Sequence, residues 1–187
     1  MIKALIFDCF GVLATEWWIP LRDEMLAADP EKMREAYDAT KATNLGFLSR
    51  DEFITTVAHL TGLPEADIHA RAQGNVPNEA LFRYIEAHKH YKIGLLSNIQ
   101  KDHLPKLFSP EQLGLFDQLV LSFEIGAVKP DPRAYEIAAQ RLETPLKQCL
   151  FVDDQPRYVA AAEALGMKGI IYQNFAQFEA EAQKLLQ

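Results

Sequence analysis

Side chains that could perform chemistry together stand at four places along the 187-residue chain. They are Asp8, the pair Ser97 and Asn98, Lys129, and the pair Asp153 and Asp154. Three carboxylates in one place would raise one another's pKa unless a cation lay among them. Their oxygens, with room for water and phosphate, suit Mg²⁺. A lysine and a hydroxyl suit a phosphoryl group held against that metal, and an aspartate can form an aspartyl-phosphate. The set therefore indicates phosphoryl-transfer chemistry, provided that the fold brings its members together.

Each member of this set also has an ordinary structural interpretation. Lys129 could be a solvated loop charge, because lysine is usually exposed and Pro130 follows it. A turn or capping role would account for the other side chains, which are Asp8, Ser97, Asn98, Asp153 and Asp154. Order and spacing therefore have to decide between the two interpretations.

The residues before these positions have the pattern of buried strands. Residues 4–7 form an apolar run without alternation, which predicts a short strand buried on both faces and ending at Asp8. Comparable runs stand at 91–96, 118–121, 149–152 and 169–172. Helical patterns alternate with them, at 81–87, 102–108, 132–142, 158–165 and 175–186, and residues 122–130 read as a loop. This alternation predicts an α/β fold with a Rossmann-like, mostly parallel sheet and helices on both faces. The carboxyl ends of such strands share one edge, where ligands bind.

A helical insert interrupts this alternation. Residues 15–76 contain no convincing strand, and Asp29 with Pro30 is typical of a helix start. The chain is therefore predicted to have a core of residues 1–14 and 77–187 and a helical insert between them. Its position directly after a strand-end acid favours a cap over a site, although an ordinary helical subdomain remains an alternative.

Composition and charge exclude several function classes. The net charge of −7 argues against nucleic-acid and anionic-membrane partners, which need basic patches. Cys9 and Cys149 lie in apolar runs without CxxC spacing, so reduced, buried thiols of a cytoplasmic protein are expected. We find no apolar run of transmembrane length and no signal-peptide pattern. The sequence leaves a monomer and a homodimer equally open.

The motifs, in this order, resemble those of the haloacid dehalogenase-like (HAD) hydrolase superfamily. IFDCFGVL at residues 6–13 resembles the first motif, and LLSN at 95–98 resembles the second. VKPDP at 128–132 resembles the third, and FVDD at 151–154 resembles the fourth. The resemblance covers nearly the whole chain, and the helical insert stands where this superfamily places its cap.

The resemblance implies a Mg²⁺-dependent, phosphatase-like hydrolase of a small phosphorylated metabolite. It makes Asp8 the nucleophile and gives Lys129 a catalytic role as well as a binding one. The residues implied to hold the phosphoryl group are Ser97, Asn98 and Lys129. Those implied to hold Mg²⁺ are Asp8, Phe10 through its backbone carbonyl, Asp154 directly and Asp153 through water.

Two positions depart from the superfamily pattern. Family phosphatases usually carry a second Asp two residues after the nucleophile, which protonates the leaving group and then activates water. Phe10 stands there and cannot transfer a proton, and loss of such a group typically costs on the order of a hundredfold or more in rate. Tyr158 stands four residues after Asp154, where the family often has Asp or Asn, so the metal shell is less well defined.

Phe10 also raises the possibility of a 2-haloacid dehalogenase, since an aromatic residue is common there in that branch. Asp8 would then attack carbon, and a cation such as Arg22 would bind the substrate. That branch lacks the paired acids of the fourth motif, so their presence favours the phosphatase-like branch. A third hypothesis is a phosphometabolite-binding protein that has lost most of its catalysis.

The insert contains further candidates. Its aromatic side chains could line a pocket or pack within the insert, and packing is favoured for most of Trp17, Trp18, Tyr37 and Phe47. His59 and His69 are candidate bases, but surface helix positions are favoured for both.

Overall fold

The computed structural model describes residues 1–101 and 103–186. Five strands within them form one parallel sheet in the order β3-β2-β1-β4-β5. The strands are β1 (Ala4–Phe7), β2 (Lys92–Ser97), β3 (Gln118–Leu121), β4 (Cys149–Asp153) and β5 (Lys168–Ile171). The predicted α/β fold with a Rossmann-like sheet is confirmed, and β1, which leads into Asp8, is its central strand.

The apolar character of β1 follows from its burial on both faces. Leu5 and Phe7 pack in one hydrophobic cluster, whereas Ala4 and Ile6 pack in another on the opposite face. Successive side chains of a strand point to opposite faces, so a strand covered on both sides needs apolar residues at every position.

The described residues contain eleven α-helices. They are α1 (Trp18–Leu26), α2 (Pro30–Asn44), α3 (Arg50–Thr61), α4 (Glu65–Gln73), α5 (Glu79–Ala87), α6 (Leu104–Leu107), α7 (Pro110–Leu113), α8 (Ser122–Ile125), α9 (Pro132–Arg141), α10 (Pro156–Ala164) and α11 (Phe175–Leu185). Helices α5 and α11 contribute to one face of the sheet, and α9 and α10 contribute to the other. None of these helices is both long and apolar enough to cross a membrane.

Helices α1 to α4 lie in the insert and share a hydrophobic cluster of their own. The cluster consists of Trp18, Leu21, Leu26, Ala36, Phe53, Ile54, Val57, Ala58, Leu60, Ile68 and Ala72. Local signals set the helix starts: the Asp29 carboxylate caps α2 before Pro30, and Ser49 forms a reciprocal capping box with Glu52 at α3. The insert therefore folds around its own apolar side chains.

Some predicted boundaries were wrong. The predicted loop at 122–130 begins with α8, a single turn too short to show a periodic pattern. Helix α10 begins at Pro156 rather than Tyr158, because proline is tolerated in the first turn. For the same reason Pro20 lies within α1. The predicted helix at 102–108 is seen as Leu104–Leu107, and Asp102 lies outside the described residues.

Gly169→Ala should destabilise the protein through overpacking between β5 and α10. A Cβ at Gly169 would overlap the Cγ1 atom of Val159. We expect the free energy of unfolding to fall by about 1–3 kcal/mol in urea titrations. Val159→Ala removes the overlapping atom, so the double variant should lose clearly less than the sum of the two single variants. Additive losses would contradict this packing explanation.

Candidate active site

The carboxyl ends of the parallel strands bring the predicted residues to one edge of the sheet. Asp8 follows β1, Ser97 is the last residue of β2, and Asp153 is the last residue of β4. These three strands are neighbours, with β1 in the middle. Lys129 lies after β3 and α8, on the segment that leads to α9. The strand order therefore places the side chains together, as parallel topology requires.

Lys129 is the centre of this cluster. Its Nζ atom lies 2.7 Å from Asp8 Oδ1 and 2.6 Å from Asp153 Oδ2. The residue is only 2 % exposed, so its interpretation as a solvated loop charge was wrong. Burial alone would lower the pKa of Lys129, but the charges of Asp153 and Asp8 raise it above its ordinary value. Lys129 therefore remains a fixed positive charge beside Asp8.

Asn98 positions Lys129. The Asn98 Oδ1 atom accepts the backbone N–H of Lys129 at 2.8 Å, and its Nδ2 donates to the Lys129 carbonyl at 3.0 Å. Both ends of the amide thus hold the backbone of one residue, which orients the lysine side chain. This role exceeds the turn-and-cap alternative, and direct contact of Asn98 with a phosphoryl group remains a prediction.

Asp8, Asp153 and Asp154 form a carboxylate cluster at this edge. One oxygen from each lies within 4.8 Å of the others. Burial and the charge of Asp153 raise the pKa of Asp8 well above its ordinary value, although Lys129 opposes them. Burial raises the pKa of Asp154 to about 6. These shifts mark a site that lacks positive charge in the protein alone.

The residues present fit a small divalent cation. The carboxylate oxygens are the hard ligands that Mg²⁺ prefers. Gly11 makes room for one of them, because its φ is +82° and a Cβ there would lie 2.5 Å from Asp154 Cγ. Asp153 is already engaged, since its Oδ2 pairs with Lys129 and its Oδ1 accepts the Gln155 backbone N–H at 2.8 Å. Asp8 pairs with Lys129 through Oδ1, and Asp154 Oδ2 accepts from Gln155 Nε2 at 2.8 Å, so each keeps one oxygen outside the contacts recorded among the described residues. Direct metal ligation by Asp8 and Asp154 remains a prediction.

The Ser97 hydroxyl is buried beside this cluster. Its oxygen has no hydrogen-bond partner of normal geometry among the described residues. Its thiol neighbour Cys9 is only a weak hydrogen-bonding group. The Ser97 hydroxyl therefore retains hydrogen-bonding capacity, and its contact with a phosphoryl oxygen remains a prediction.

A cavity of about 350 Å³ opens onto the cluster. It reaches the candidate site residues Asp8, Phe10, Asn98, Lys129 and Asp154, whereas Ser97 and Asp153 lie outside its lining. The opposite wall belongs to the insert and includes Trp17, Trp18, Ile19, Arg22, Tyr37, Phe53 and Ile54. The insert therefore covers the sheet edge on which the candidate residues meet.

The aromatic residues of the insert divide into different environments. Trp18 is buried in the insert core and also lines the cavity, and the partly buried Trp17 lines it too. Tyr37 is 41 % exposed and lines the cavity, whereas Phe47 is 81 % exposed and is not part of the lining. The expectation that most of these rings pack in the insert core was wrong for Tyr37 and Phe47.

Two arginines flank the Tyr37 ring. The buried Arg22 donates through Nε and Nη2 to Asp23 Oδ1, at 2.8 and 2.7 Å, and its guanidinium lies 4.4 Å from the ring centroid. Arg157 of α10 lies 5.8 Å from the same centroid. Tyr158 beside it lies 5.2 Å from the Lys129 Nζ atom, where it packs over the lysine. A cation–aromatic cluster thus joins the insert to the core.

Sequence reasoning did not single out several residues of the cavity lining, among them His103 and Glu16. His59 is exposed and His69 is half-buried, in agreement with the favoured surface interpretation, and neither lines the cavity. His103 does line it, and its ring lies edge-on to Phe10 with centroids 5.3 Å apart. Glu16 also lines it, at the start of the insert. The position of Glu16, shortly after the strand-end motif, is a signal that could have revealed it.

The haloacid dehalogenase-like hydrolase family model matches residues 2–166 of this chain. The chain therefore belongs to that family of hydrolases, as its motif resemblance predicts. Sesquiterpene phosphatase astK of Aspergillus oryzae is 26% identical over 175 residues, which span 90% of this chain and 88% of the relative. D-ribitol-5-phosphate phosphatase of Bacteroides thetaiotaomicron is 26% identical over 209 residues, which span 100% of this chain and 99% of the relative.

Solved structures show the same fold. A HAD-like family hydrolase from Porphyromonas gingivalis matches with a TM-score of 0.72 at 24% identity and covers 100% of this chain and 98% of its own. A HAD family enzyme from Bacteroides thetaiotaomicron, in complex with magnesium and inorganic phosphate, matches with a TM-score of 0.68 at 21% identity. The match covers 95% of this chain and 99% of that enzyme's chain. L-2-haloacid dehalogenase from Xanthobacter autotrophicus matches with a TM-score of 0.66 at 21% identity. The match covers 100% of this chain and 83% of the dehalogenase chain.

Asp154→Asn should reduce the pH dependence of stability in metal-free buffer. The raised pKa of Asp154, about 6, means that the folded protein holds this proton more tightly than the unfolded chain does. Stability should therefore fall as pH rises from about 4 to about 6, because the unfolded chain releases its proton first. Urea titrations should show a smaller fall for Asp154→Asn than for the wild type, with a difference of about 1–2 kcal/mol.

Magnesium should stabilise the wild type more than Asp154→Asn. Added Mg²⁺ should raise the melting temperature of the wild type more than that of Asp154→Asn, because the variant loses a charged ligand. Glu136→Gln, an exposed change on α9, should respond to the metal like the wild type. An equal magnesium response in Asp154→Asn and the wild type would contradict direct ligation by Asp154.

Proposed function

We propose that this protein is a Mg²⁺-dependent phosphatase that hydrolyses a small phosphate monoester through an aspartyl-phosphate on Asp8. One observation carries the proposal: the buried Lys129 ammonium pairs with Asp8 Oδ1 at the edge of a cavity that also contains Asp154. This arrangement supplies a nucleophile, a fixed positive charge and a cluster of metal-type oxygens within one site.

In the proposed mechanism Asp8 attacks phosphorus in line with the leaving oxygen. Lys129 occupies Oδ1, and none of the contacts recorded among the described residues uses Oδ2, which we assign as the attacking atom. The Ser97 hydroxyl and Lys129 bind oxygens of the phosphoryl group, and Asn98 keeps the lysine in place. Water then attacks the aspartyl-phosphate, releases phosphate and restores the Asp8 carboxylate.

We assign the metal to Asp8, the carbonyl of Phe10 and Asp154, with Asp153 acting through water. When bound, Mg²⁺ neutralises charge on the phosphoryl oxygens and on the attacking carboxylate. The raised pKa values of Asp8 and Asp154 support this assignment, because a divalent cation would oppose both shifts. The magnesium and phosphate bound to the Bacteroides thetaiotaomicron enzyme support the same choice of cofactor.

The phosphatase assignment also draws support from the relatives. The sesquiterpene and D-ribitol-5-phosphate enzymes are named phosphatases and match this chain over most of its length. The 2-haloacid alternative is less well supported, because the Arg22 guanidinium already pairs with Asp23. Asp153 and Asp154 also add two carboxylates beside Asp8, an arrangement that favours a metal-dependent reaction. The third hypothesis, a phosphometabolite-binding protein with little catalysis, would be favoured by a negative activity test.

We propose that residues 15–76 form a cap and that residues 1–14 and 77–187 form the catalytic core. The insert has a separate hydrophobic cluster, which supports this division. Its two connections meet where the boundaries were placed: Thr15 N–H donates to the Val76 carbonyl at 3.0 Å, and Val76 N–H donates to Thr15 Oγ1 at 2.9 Å. Paired connections of this kind are suited to act as a hinge.

Asp8→Asn should abolish Mg²⁺-dependent hydrolysis of 4-nitrophenyl phosphate. Loss of the nucleophile should cost on the order of a thousandfold or more in kcat/KM. EDTA should abolish the hydrolytic activity of the wild type. Acid quenching during turnover should trap a phosphorylated peptide that contains Asp8. Gln183→Glu provides a control, because it changes charge at an exposed position of α11 outside the cavity lining and should leave kcat/KM unchanged.

Absence of wild-type turnover with aryl phosphates under any metal condition would overturn the phosphatase proposal. Halide release from 2-haloacids would then identify a dehalogenase. Thermal stabilisation by phosphorylated metabolites without turnover would instead identify a binding protein.

Trp17→Ala should weaken binding of substrates with a bulky apolar body. The Trp17 ring is part of the cavity wall, so its loss should raise KM for 1-naphthyl phosphate by about tenfold, which corresponds to about 1.4 kcal/mol. The KM for phenyl phosphate should change much less, because a smaller body reaches less of the insert. Phe47→Ala removes an exposed ring outside the lining and is the matched control. Equal effects of Trp17→Ala on both substrates would contradict this placement.

A further inference from the structure

One carboxylate in the cavity has no role in the proposed mechanism so far. Glu16 is the first acidic residue after the Asp8 motif and stands two residues beyond Ala14, where the chain enters the insert. It is partly buried and belongs to the same cavity lining as Asp8 and Phe10. It lies outside the carboxylate cluster formed by Asp8, Asp153 and Asp154. A buried acid in this position needs an explanation.

The start of α1 fixes this side chain. Glu16 Oε1 accepts the backbone N–H of Trp18 at 2.6 Å and that of Ile19 at 3.4 Å. None of the hydrogen bonds recorded among the described residues uses Oε2. Capping therefore accounts for one oxygen of the carboxylate and leaves the other available to a molecule in the cavity.

Glu16 lines the same cavity as Asp8 and Asp154. The pKa of the Cys9 thiol, next to Asp8, is raised chiefly by burial, and the charge of Glu16 contributes to that increase. The charge of Asp154 in turn contributes to the raised pKa of Glu16. Glu16 therefore shares its surroundings with the proposed nucleophile and with Asp154, although it belongs to a different part of the chain.

The proposed reaction needs a proton that Phe10 cannot supply. An alkoxide is a poor leaving group, so hydrolysis of an alkyl phosphate requires an acid at the leaving oxygen. Resting on the phosphatase function proposed above, we propose that Glu16 is the general acid and base of this enzyme and acts from the insert in place of a carboxylate at position 10.

The proposed reaction has two steps. In the first, Asp8 Oδ2 forms a bond to phosphorus while the bond from phosphorus to the leaving oxygen breaks, and the Glu16 carboxylic acid gives its proton to that oxygen. In the second, water attacks phosphorus and gives a proton to the Glu16 carboxylate. The bond between Asp8 and phosphorus then breaks, inorganic phosphate leaves, and both carboxyl groups return to their initial states.

The surroundings of Glu16 suit this role better than those of other cavity residues. Burial raises the pKa of Glu16 despite the opposing helix N–H groups, so it holds a proton nearer neutral pH than an ordinary glutamate does. Burial and the charges of Arg50 and Lys106 lower the pKa of His103 to about 4, which leaves this histidine unprotonated at neutral pH. Asp38 also lines the cavity but is exposed.

Glu16→Gln tests the assignment with two substrates that differ in leaving group. Glutamine keeps an acceptor for the α1 backbone N–H groups but cannot transfer the proton. The kcat/KM for 2-phenylethyl phosphate, an alkyl ester, should fall about 100-fold or more. The kcat/KM for 4-nitrophenyl phosphate should change by less than about threefold, because nitrophenolate leaves without a proton.

Rapid-quench measurements provide a second readout. Glu16→Gln should show a burst of nitrophenol followed by slow turnover, because hydrolysis of the aspartyl-phosphate has lost its base. A purely structural role of Glu16 would instead lower the melting temperature and reduce both kcat/KM values equally, without a burst. That result would overturn the proposal.

Two further variants complete the experiment. Glu24→Gln makes the same chemical change at an exposed position of α1 and should leave both substrates unaffected. His103→Gln should not show the leaving-group-dependent loss, and such a loss in His103→Gln but not in Glu16→Gln would transfer the role to the histidine. Wild-type inactivity with both esters would overturn the phosphatase function itself, whereas an active wild type with an unaffected Glu16→Gln would overturn only the role of Glu16.

Discussion

The ion cluster around Lys129 is the interaction on which the rest of this structure depends. One ammonium lies against two carboxylates at the end of the central strands, and Asp154 adds a third nearby. Three carboxylates against one ammonium leave two negative charges in a largely buried place. Uncompensated buried charge is costly, and the raised pKa values of Asp8 and Asp154 express that cost. A divalent cation would balance the remaining charge. The electrostatic repulsion that is costly in the free protein therefore makes this site suited to bind metal and phosphate.

Three local features surround this ion cluster. Asn98 commits both ends of its amide to the backbone of Lys129, which fixes the ammonium that pairs with Asp8 and Asp153. Gly11 adopts a left-handed conformation and leaves space for the carboxylate of Asp154. Ser97 keeps a buried hydroxyl unpaired. The unpaired Ser97 hydroxyl is a cost to the protein alone, and a ligand oxygen bound to it would offset that cost.

The sequence predicted the strands and the site better than it predicted side-chain environments. The strand of residues 4–7 and the position of Asp8 at its end follow from an apolar run of the right length, and parallel topology then brings distant motifs together. The burial of Lys129 could not be read locally, because it depends on two carboxylates from other strands. Helix α8 was missed because a single turn has no period to detect. The environments of Tyr37 and Phe47 depend on how the insert sits over the sheet, which no local pattern encodes.

The position of Glu16 connects the chemistry to the insert. A proton donor at position 10 would belong to the core and would be present whether or not the insert covered the site. Glu16 stands two residues before α1 and accepts hydrogen bonds from the first backbone N–H groups of that helix, directly beyond the paired connections at Thr15 and Val76. A donor carried by the insert is correctly placed only when the insert lies over the sheet edge, so proton transfer and exclusion of water would occur together. Cap placement would then be part of the catalytic step, and a substrate body large enough to contact Trp17 and Trp18 would favour the geometry in which its own leaving oxygen is protonated.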